Sequence, residues 1–236
     1  MSQTKNIVIG IQARMTNTRL PGKVKMLIAG MTMLDRVIKN AEKCSRYINN
    51  GNTNLKVTVA LLVPTGDPLA DEYRSKMLTI EGPEDDVLQR YYIASKLLEP
   101  DYMVRLTSDC PLIPPFLITK HIVNACNYEY DYVSNVDPEV RTAPDGFDCE
   151  VISSRLLDWT HENAKSVADR EHVTTHIRSN RPDWAKVANI VGYTDLSHLK
   201  LSVDTKEDLF FVRTYFDILS NKIKKAQSNA EGFFRL

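Results

Sequence analysis

A mainly parallel α/β sheet with helices on both faces is the fold class that this sequence predicts. Two observations carry the prediction. Short apolar, β-branched runs alternate with segments of helical period, as in strands joined by crossover helices. Hydrophobic residues make up 43% and charged residues 25%, a balance that lets 236 residues bury a substantial core in one α/β unit.

The first strand is expected at residues 6–11, an apolar run that gives way to Gln12 and Arg14. It is far shorter than a secretory apolar region, or than the roughly 20 residues of a membrane span. Met33, Leu34, Val37, Ile38 and Ala41 recur at helical spacing, and residues 56–63 form the next strand. Asp67 before Pro68 supplies an N-cap and an N1 proline for another helix. A third helix starts after Gly82-Pro83. Its first turn holds Glu84, Asp85 and Asp86, which the macrodipole favours, and Val87, Leu88, Tyr91 and Tyr92 make its apolar face. Further strands are expected at 102–107, 131–136, 149–153 and 200–203. Residues 135–146, with Pro138 and Pro144, read as a long loop or as the boundary of an appended element. From Asn221 to Leu236 the chain reads as a loosely held helix or an oligomer contact.

Charge and cysteine usage narrow the partners. Thirty basic and thirty acidic residues cancel, so no global field draws nucleic acid or an anionic membrane, and any anion site is local. Cys44, Cys110, Cys126 and Cys149 are scattered without a CxxC pair or zinc-ligand spacing, which suits a reducing compartment. A soluble, cytoplasmic protein is expected.

The richest stretch, residues 12–23, follows the first strand and reads Gln-Ala-Arg-Met-Thr-Asn-Thr-Arg-Leu-Pro-Gly-Lys. Loops beyond the carboxyl ends of parallel strands are where open sheets bind nucleotides. Arg14, Arg19 and Lys23 offer two forked guanidinium groups and a point charge, a set that suits a triphosphate; a solvated polar turn is the bland alternative. It is not a Walker A loop, since Asn17 stands where that motif needs glycine and Val24 where it needs Ser or Thr.

Two carboxylates stand out further on. Asp109, in Arg105-Leu106-Thr107-Ser108-Asp109-Cys110-Pro111, falls at the carboxyl end of an expected strand, where it faces a cleft or forms a turn. Asp204, in Val203-Asp204-Thr205-Lys206-Glu207-Asp208, also follows an expected strand, while Thr205 with Asp208 reads as a capping box. Asp148 and Glu150 alternate on a strand and are expected on one face. His172 and His176 have helical spacing, but Glu171 precedes the first histidine instead of following it. The metalloprotease pattern is therefore absent, and two histidines leave a zinc site short of ligands.

Residues 12–23 closely resemble the N-terminal signature of the cytidylyltransferase family that includes CMP-KDO synthetases, acylneuraminate cytidylyltransferases and the spore coat polysaccharide protein F group, which is the nearest. Thr16-Asn17 replaces the usual Gly-Ser, which restricts the backbone there. Residues 105–111 resemble the family's R-x-T-x-D-x-P motif. Residues 203–209 resemble its V-D-T-P-E-D-L motif, with Lys206 in place of proline. Residues 82–91 are similar to its G-x-x-x-D-V-L-x-R-Y region near the nucleobase. Residues 145–150 and 170–174 are similar to the spore coat group's D/R-G-L/F-D-x-E and R-E-H-V-T segments.

The resemblance implies a Rossmann-like sheet of the nucleotide-diphospho-sugar transferase type, occupying residues 1–236 as one domain. A small inserted or appended element about residues 135–180 would serve the acceptor side or dimerisation, in an expected homodimer. It implies that Gln12, Ala13, Arg14, Thr18, Arg19, Lys23, Gly82, Asp86 and Thr107 bind CTP, and that Arg105, Asp148, Glu150, Arg170, Glu171 and His172 hold the acceptor. Arg14, Lys23, Asp109 and Asp204 are then the catalytic set, with Asp109 and Asp204 holding Mg²⁺, an ion that keeps much of its water and takes few carboxylates. The implied reaction transfers CMP from CTP to a small sugar acid or sugar-like acceptor and releases pyrophosphate, for surface polysaccharide or glycoconjugate synthesis. Neither nucleic acid nor membrane enters it. The alternatives are a nucleotide-sugar-dependent glycosyltransferase and a non-catalytic nucleotide-binding protein. Cys110 beside Asp109 reads as a buried small apolar residue, not a nucleophile.

Overall fold

The computed structural model describes residues 3–51 and 53–233, with side chains described as far as residue 219. The strands are β1 (Lys5–Gln12), β2 (Leu27–Ile28), β3 (Met31–Thr32), β4 (Leu55–Pro64), β5 (Leu78–Gly82), β6 (Tyr102–Thr107), β7 (Tyr132–Ser134), β8 (Glu150–Ser153) and β9 (Val187–Asn189). The helices are α1 (Met33–Asn49), α2 (Pro68–Tyr73), α3 (Val87–Leu98), α4 (Pro115–Tyr128), α5 (Ser154–Asn163), α6 (Val167–His172), α7 (Thr175–Asn180) and α8 (Lys206–Phe233).

Seven strands form one Rossmann-like sheet in the order β5-β4-β1-β6-β8-β7-β9, with β2 and β3 as a separate hairpin. Parallel pairing joins β5, β4, β1 and β6, whereas β8 runs antiparallel to both β6 and β7. Strand alternation explains the two-sided core. Ile7, Ile9 and Ile11 of β1 pack with Leu34, Val37 and Ala41 of α1 and Ile118 and Ile122 of α4 on one face. Val8 turns the other way, with Leu88 and Tyr91 of α3 and Leu156 of α5. A third cluster ties Leu20 and Met33 to Val203 and to Leu209 and Val212 of α8.

Local chemistry starts the helices as expected. Thr32 caps α1 by accepting from Asp35 N, and Asp67 caps α2 by accepting from Leu69 N, each worth about 1 kcal/mol. At α3 the start shifts: Asp86 is the N-cap, accepting from Gln89 N at 2.8 Å, so Glu84 and Asp85 precede the helix. Tyr92 leaves the buried face of α3 and stacks on His161.

Other expectations need correction. Residues 200–203 form no strand, only an isolated bridge between Lys200 and Asp145. Their amides serve loops instead: Leu201 N and Ser202 N donate to Asp145 O, and Val203 N donates to Asp109 O. β7 and β8 are shorter than 131–136 and 149–153. The short strands β5 and β9 had no expectation at all. Residues 135–149 are a loop that returns to bridge at Asp145. His172 and His176 do not share a helix, because Val173 takes φ 65° and breaks the path between α6 and α7. The backbone of residues 221–233 continues α8, while the tail's expected oligomer contact falls on side chains and residues outside those described. Among the described residues, no helix is long and apolar enough to cross a membrane.

Candidate active site

A cavity of about 310 Å³ opens over the carboxyl ends of β1 and β6, the central strands of the sheet. β4 lies on one side of β1 and β6 on the other, so the loops that follow them part there and leave a crevice.

The loop after β1 is held at several points. Met15 N donates to Asp67 Oδ2 at 2.8 Å, and Leu20 N donates to Asn17 Oδ1 at 3.0 Å. Thr16 bonds to Glu84, and Leu20 is buried in the cluster with α8. Asn17, at one of the two positions where the usual Gly-Ser pair is replaced, thus works as a side-chain cap within the loop. Gly22 takes φ 66°, a left-handed turn open to glycine, and delivers Lys23 inward.

Lys23 is the hub of the site. Its side chain is 7% exposed, and Nζ donates to Asp109 Oδ2 at 2.9 Å, Asp204 Oδ1 at 3.0 Å and Val203 O at 2.8 Å. Arg19 adds a bond to Asp204 Oδ1 at 3.0 Å, and Arg14 lies 3.9 Å from Glu84 with its guanidinium half exposed. The two carboxylates meet because Val203 N bonds to Asp109 O, and because Asp208 Oδ2 accepts from both Asp204 N and Thr205 N. Asp208 N in turn donates to Thr205 Oγ1, closing the capping box at the start of α8. Burial alone would push the Asp109 carboxyl up. The Lys23 charge and hydrogen bonds from Thr107 and Lys23 outweigh it and hold the group below the usual carboxylate range. Among the described residues no cluster of three or more His, Cys, Asp and Glu side chains is poised for a metal. Two converging carboxylates within reach of one compact cation fit a partly hydrated divalent ion that also takes phosphate oxygens.

Of the residues singled out from the sequence, Gln12, Ala13, Arg14, Arg19, Lys23, Arg105, Thr107, Asp109, Asp148, Glu171, His172 and Asp204 line this cavity. Five do not. Thr18 faces solvent, and Gly82 packs under the stem of Arg90. Asp86 caps α3 and pairs with Arg170 at 2.5 Å, so both are spent on joining α3 to α6. Glu150 is 1% exposed and paired with Arg105 at 2.5 Å, its register partner across β6 and β8. Glu150 thus lies outside the cavity lining, whereas Asp148, which precedes β8, borders the cavity. Burial raises the Asp148 carboxyl, and the nearby charges of Asp145 and Glu150 add to this against the opposing pull of Arg141, which it meets at 2.6 Å. Arg105 also donates to Gln12 Oε1 at 3.1 Å, which turns the Gln12 amide nitrogen away from it.

Asp145, Ser202 and Arg90 line the cavity without having been singled out. Ser202 Oγ donates to Asp145 Oδ2 at 2.8 Å. Gly146 makes this approach possible: its φ is 103°, and a Cβ there would overlap Ser202 N and the Leu201 carbonyl. Cys110 is 2% exposed and its thiol is pushed well above its usual range by burial, so it is a packing residue.

The family model for cytidylyltransferase matches residues 7–230. The spore coat polysaccharide biosynthesis protein SpsF of Bacillus subtilis is 27% identical over 224 residues, covering 89% of this chain and 86% of that one. The 3-deoxy-manno-octulosonate cytidylyltransferase of Alcanivorax borkumensis is 26% identical over 191 residues, covering 79% and 67%. The structure of a cytidylyltransferase from Leptospira borgpetersenii superposes with a TM-score of 0.77 at 24% identity, over 96% of each chain.

Proposed function

This chain belongs to the cytidylyltransferase family, enzymes of CTP-dependent nucleotidyl transfer, and from that premise we propose that it moves CMP from CTP onto a small sugar-like acceptor. The observation that carries the reading is the meeting of Asp109 and Asp204 at Lys23, beside a loop that also presents Arg14 and Arg19. The acceptor class is a sugar acid or another precursor of surface polysaccharide or glycoconjugate, by analogy with the relatives that make spore coat polysaccharide and act on 3-deoxy-manno-octulosonate. A homodimer of one-domain chains in the cytoplasm, with residues 135–180 on the acceptor side, is part of the same proposal.

In the reaction an acceptor oxygen attacks the α-phosphorus of CTP, a new P–O bond forms, and the bond to pyrophosphate breaks. Little covalent chemistry is asked of the protein, so positioning and charge neutralisation supply most of the rate. Asp109 and Asp204 would hold Mg²⁺, which when bound supplies Lewis-acid stabilisation of phosphate oxygens. Arg14, Arg19 and Lys23 offset the charge that builds on the departing pyrophosphate. Where the acceptor is a hydroxyl, its proton passes to Asp148, whose raised carboxyl suits a base better than an ordinary aspartate.

Pyrophosphate release, measured with CTP and Mg²⁺ against a panel of sugar acids, sugar phosphates and phosphonates, tests the reading. CTP is expected to support release with at least one acceptor and to protect the fold against heat more than ATP, GTP or UTP does. Equal protection by all four nucleotides, with no release, would end the assignment.

A further inference from the structure

Val173, between α6 and α7, takes φ 65° and ψ −54° although it is β-branched and fully buried. Thr174 N donates to His172 O at 2.6 Å, which makes residues 172–174 a γ-turn of the rare, strained hand. A β-branched residue at positive φ is an outlier. It persists only where its surroundings over-determine it, and such residues gather at functional sites. This turn closes α6 just after Glu171 and His172, which are exposed and form part of the cavity wall.

Packing and hydrogen bonding hold the turn in place. Val173 sits in the core cluster with Leu156 and Ile177, and Thr174, also fully buried, accepts through Oγ1 from Arg178 Nη1 at 2.9 Å. The same Nη1 lies 3.4 Å from Glu150 Oε1, to which Tyr132 Oη also donates. Glu150 Oε2 takes Arg105, which borders the cavity from β6. The sealed carboxylate on β8 thus joins two parts of the cavity wall. One oxygen fixes Arg105; the other, through Arg178 and Thr174, reaches the turn that presents Glu171 and His172. Burial alone would raise the Glu150 carboxyl. The charge of Arg105, hydrogen bonds from Thr174 and Tyr132 and the charge of Arg178 outweigh it and hold the group below its usual range. A buried anion with both oxygens committed is a stiff spacer, because breaking either side leaves a charge unpaired away from water.

We infer that Glu150, Arg178 and Thr174 are positioning residues that hold the strained turn at Val173 and so fix the gap between Arg105 and the pair Glu171 and His172, without touching the acceptor themselves. The acceptor's fit between those walls follows from this spacing, an assignment that rests on the reading of the cavity given above. Loosening the path lets the turn relax and the spacing vary. Arg14, Arg19 and Lys23 bond elsewhere, to Glu84, Asp204 and Asp109, so the phosphate end is left as it is.

Thr174→Val keeps the side chain's shape and removes its hydroxyl, Thr174→Ser keeps the hydroxyl, and Glu150→Gln keeps the shape and removes the charge. Pyrophosphate release with CTP and Mg²⁺ is followed for each, using the member of the panel above that the wild type turns over fastest, with calorimetric CTP titration and thermal unfolding alongside. Thr174→Val is expected to raise the acceptor KM by about threefold to tenfold, the loss of one buried hydrogen bond, while kcat and CTP affinity stay within about twofold. Thr174→Ser is expected to recover the wild-type KM, and a folded Glu150→Gln to raise it further than Thr174→Val. Should Glu150→Gln unfold, the Thr174 pair decides. A folded Thr174→Val with the wild-type acceptor KM, a Thr174→Ser no better than Thr174→Val, or a CTP affinity that falls as far as the acceptor's overturns the positioning role and leaves the cytidylyl assignment standing. A wild type that releases no pyrophosphate with any member of the panel overturns that assignment and this role with it.

Discussion

Lys23 and Asp109 lie 86 positions apart in sequence, yet their side chains meet at 2.9 Å at the floor of the cavity. The same ammonium reaches Asp204, so three chain segments close on one charge. Asp109→Asn and Asp204→Asn each keep the shape and remove an anion from this set. Each is expected to lower kcat/KM by about a hundredfold or more, because the carboxylates act as a unit on one ion. Pyrophosphate release, with circular dichroism to confirm the fold, measures this; near-normal turnover in either variant would remove the two-carboxylate site.

The loop cations have an internal control. Arg14→Ala and Lys23→Ala are expected to weaken CTP binding by about tenfold to a hundredfold, the loss of one charge-assisted hydrogen bond each. Lys25, two residues beyond, pairs instead with Glu72 at 2.5 Å in a partly exposed ion pair. Lys25→Ala is expected to leave CTP affinity within a factor of about two to three, since such pairs contribute little. Three equal affinities by calorimetry would show that residues 12–23 do not hold the nucleotide.

Gly146 tests the loop that carries Asp145. With φ at 103° and no room for a Cβ beside Ser202, Gly146→Ala is expected to cost about 1–3 kcal/mol of stability or more. Urea unfolding reads the cost. Wild-type stability would mean that the contact between Asp145 and residues 200–202 is soft.

His121 sets an acid limit on the fold. It is 0% exposed, its Nδ1–H donates to Leu117 O at 2.8 Å, its Nε2 has no partner among the described residues, and burial lowers its pKa to about 4. The unfolded chain therefore takes up this proton near pH 6.5 and the folded protein only near pH 4. Its contribution is full above pH 6.5 and is lost as pH falls through that window, by about 3 kcal/mol in total. His121→Leu should flatten the fall in urea-unfolding stability between pH 7 and pH 4.5. An unchanged slope would place the acid sensitivity elsewhere.

Much of the outline was legible because it is written locally. The strand from Lys5 to Gln12, the helix from Met33 and the caps at Asp67 and Thr205 depend on residues within a few positions of one another, and side-chain period and capping chemistry act over that range. Where locality ran out, so did the reading. Residues 200–203 have strand-like composition, but no neighbouring strand edge receives them, and their amides go to Asp145 and Asp109. β9 is only three residues long and exists because β7 offers it an edge.

By itself, then, the sequence determined the alternating α/β layout, the helix starts, and, through ordered motifs from Gln12 to Asp208, the family of the chain and the loop that carries its cations. Only the tertiary structure decided which of those residues face one another. Glu150 and Asp148 differ by two positions, yet the first is sealed beneath Arg105 by strand register and the second borders the cavity. Arg90 stands in a helical stretch whose burial no local pattern predicts, and its unmet donors appear only once β4 and α3 enclose it. Burial and partnership arise between segments far apart in the chain, and no local pattern encodes them.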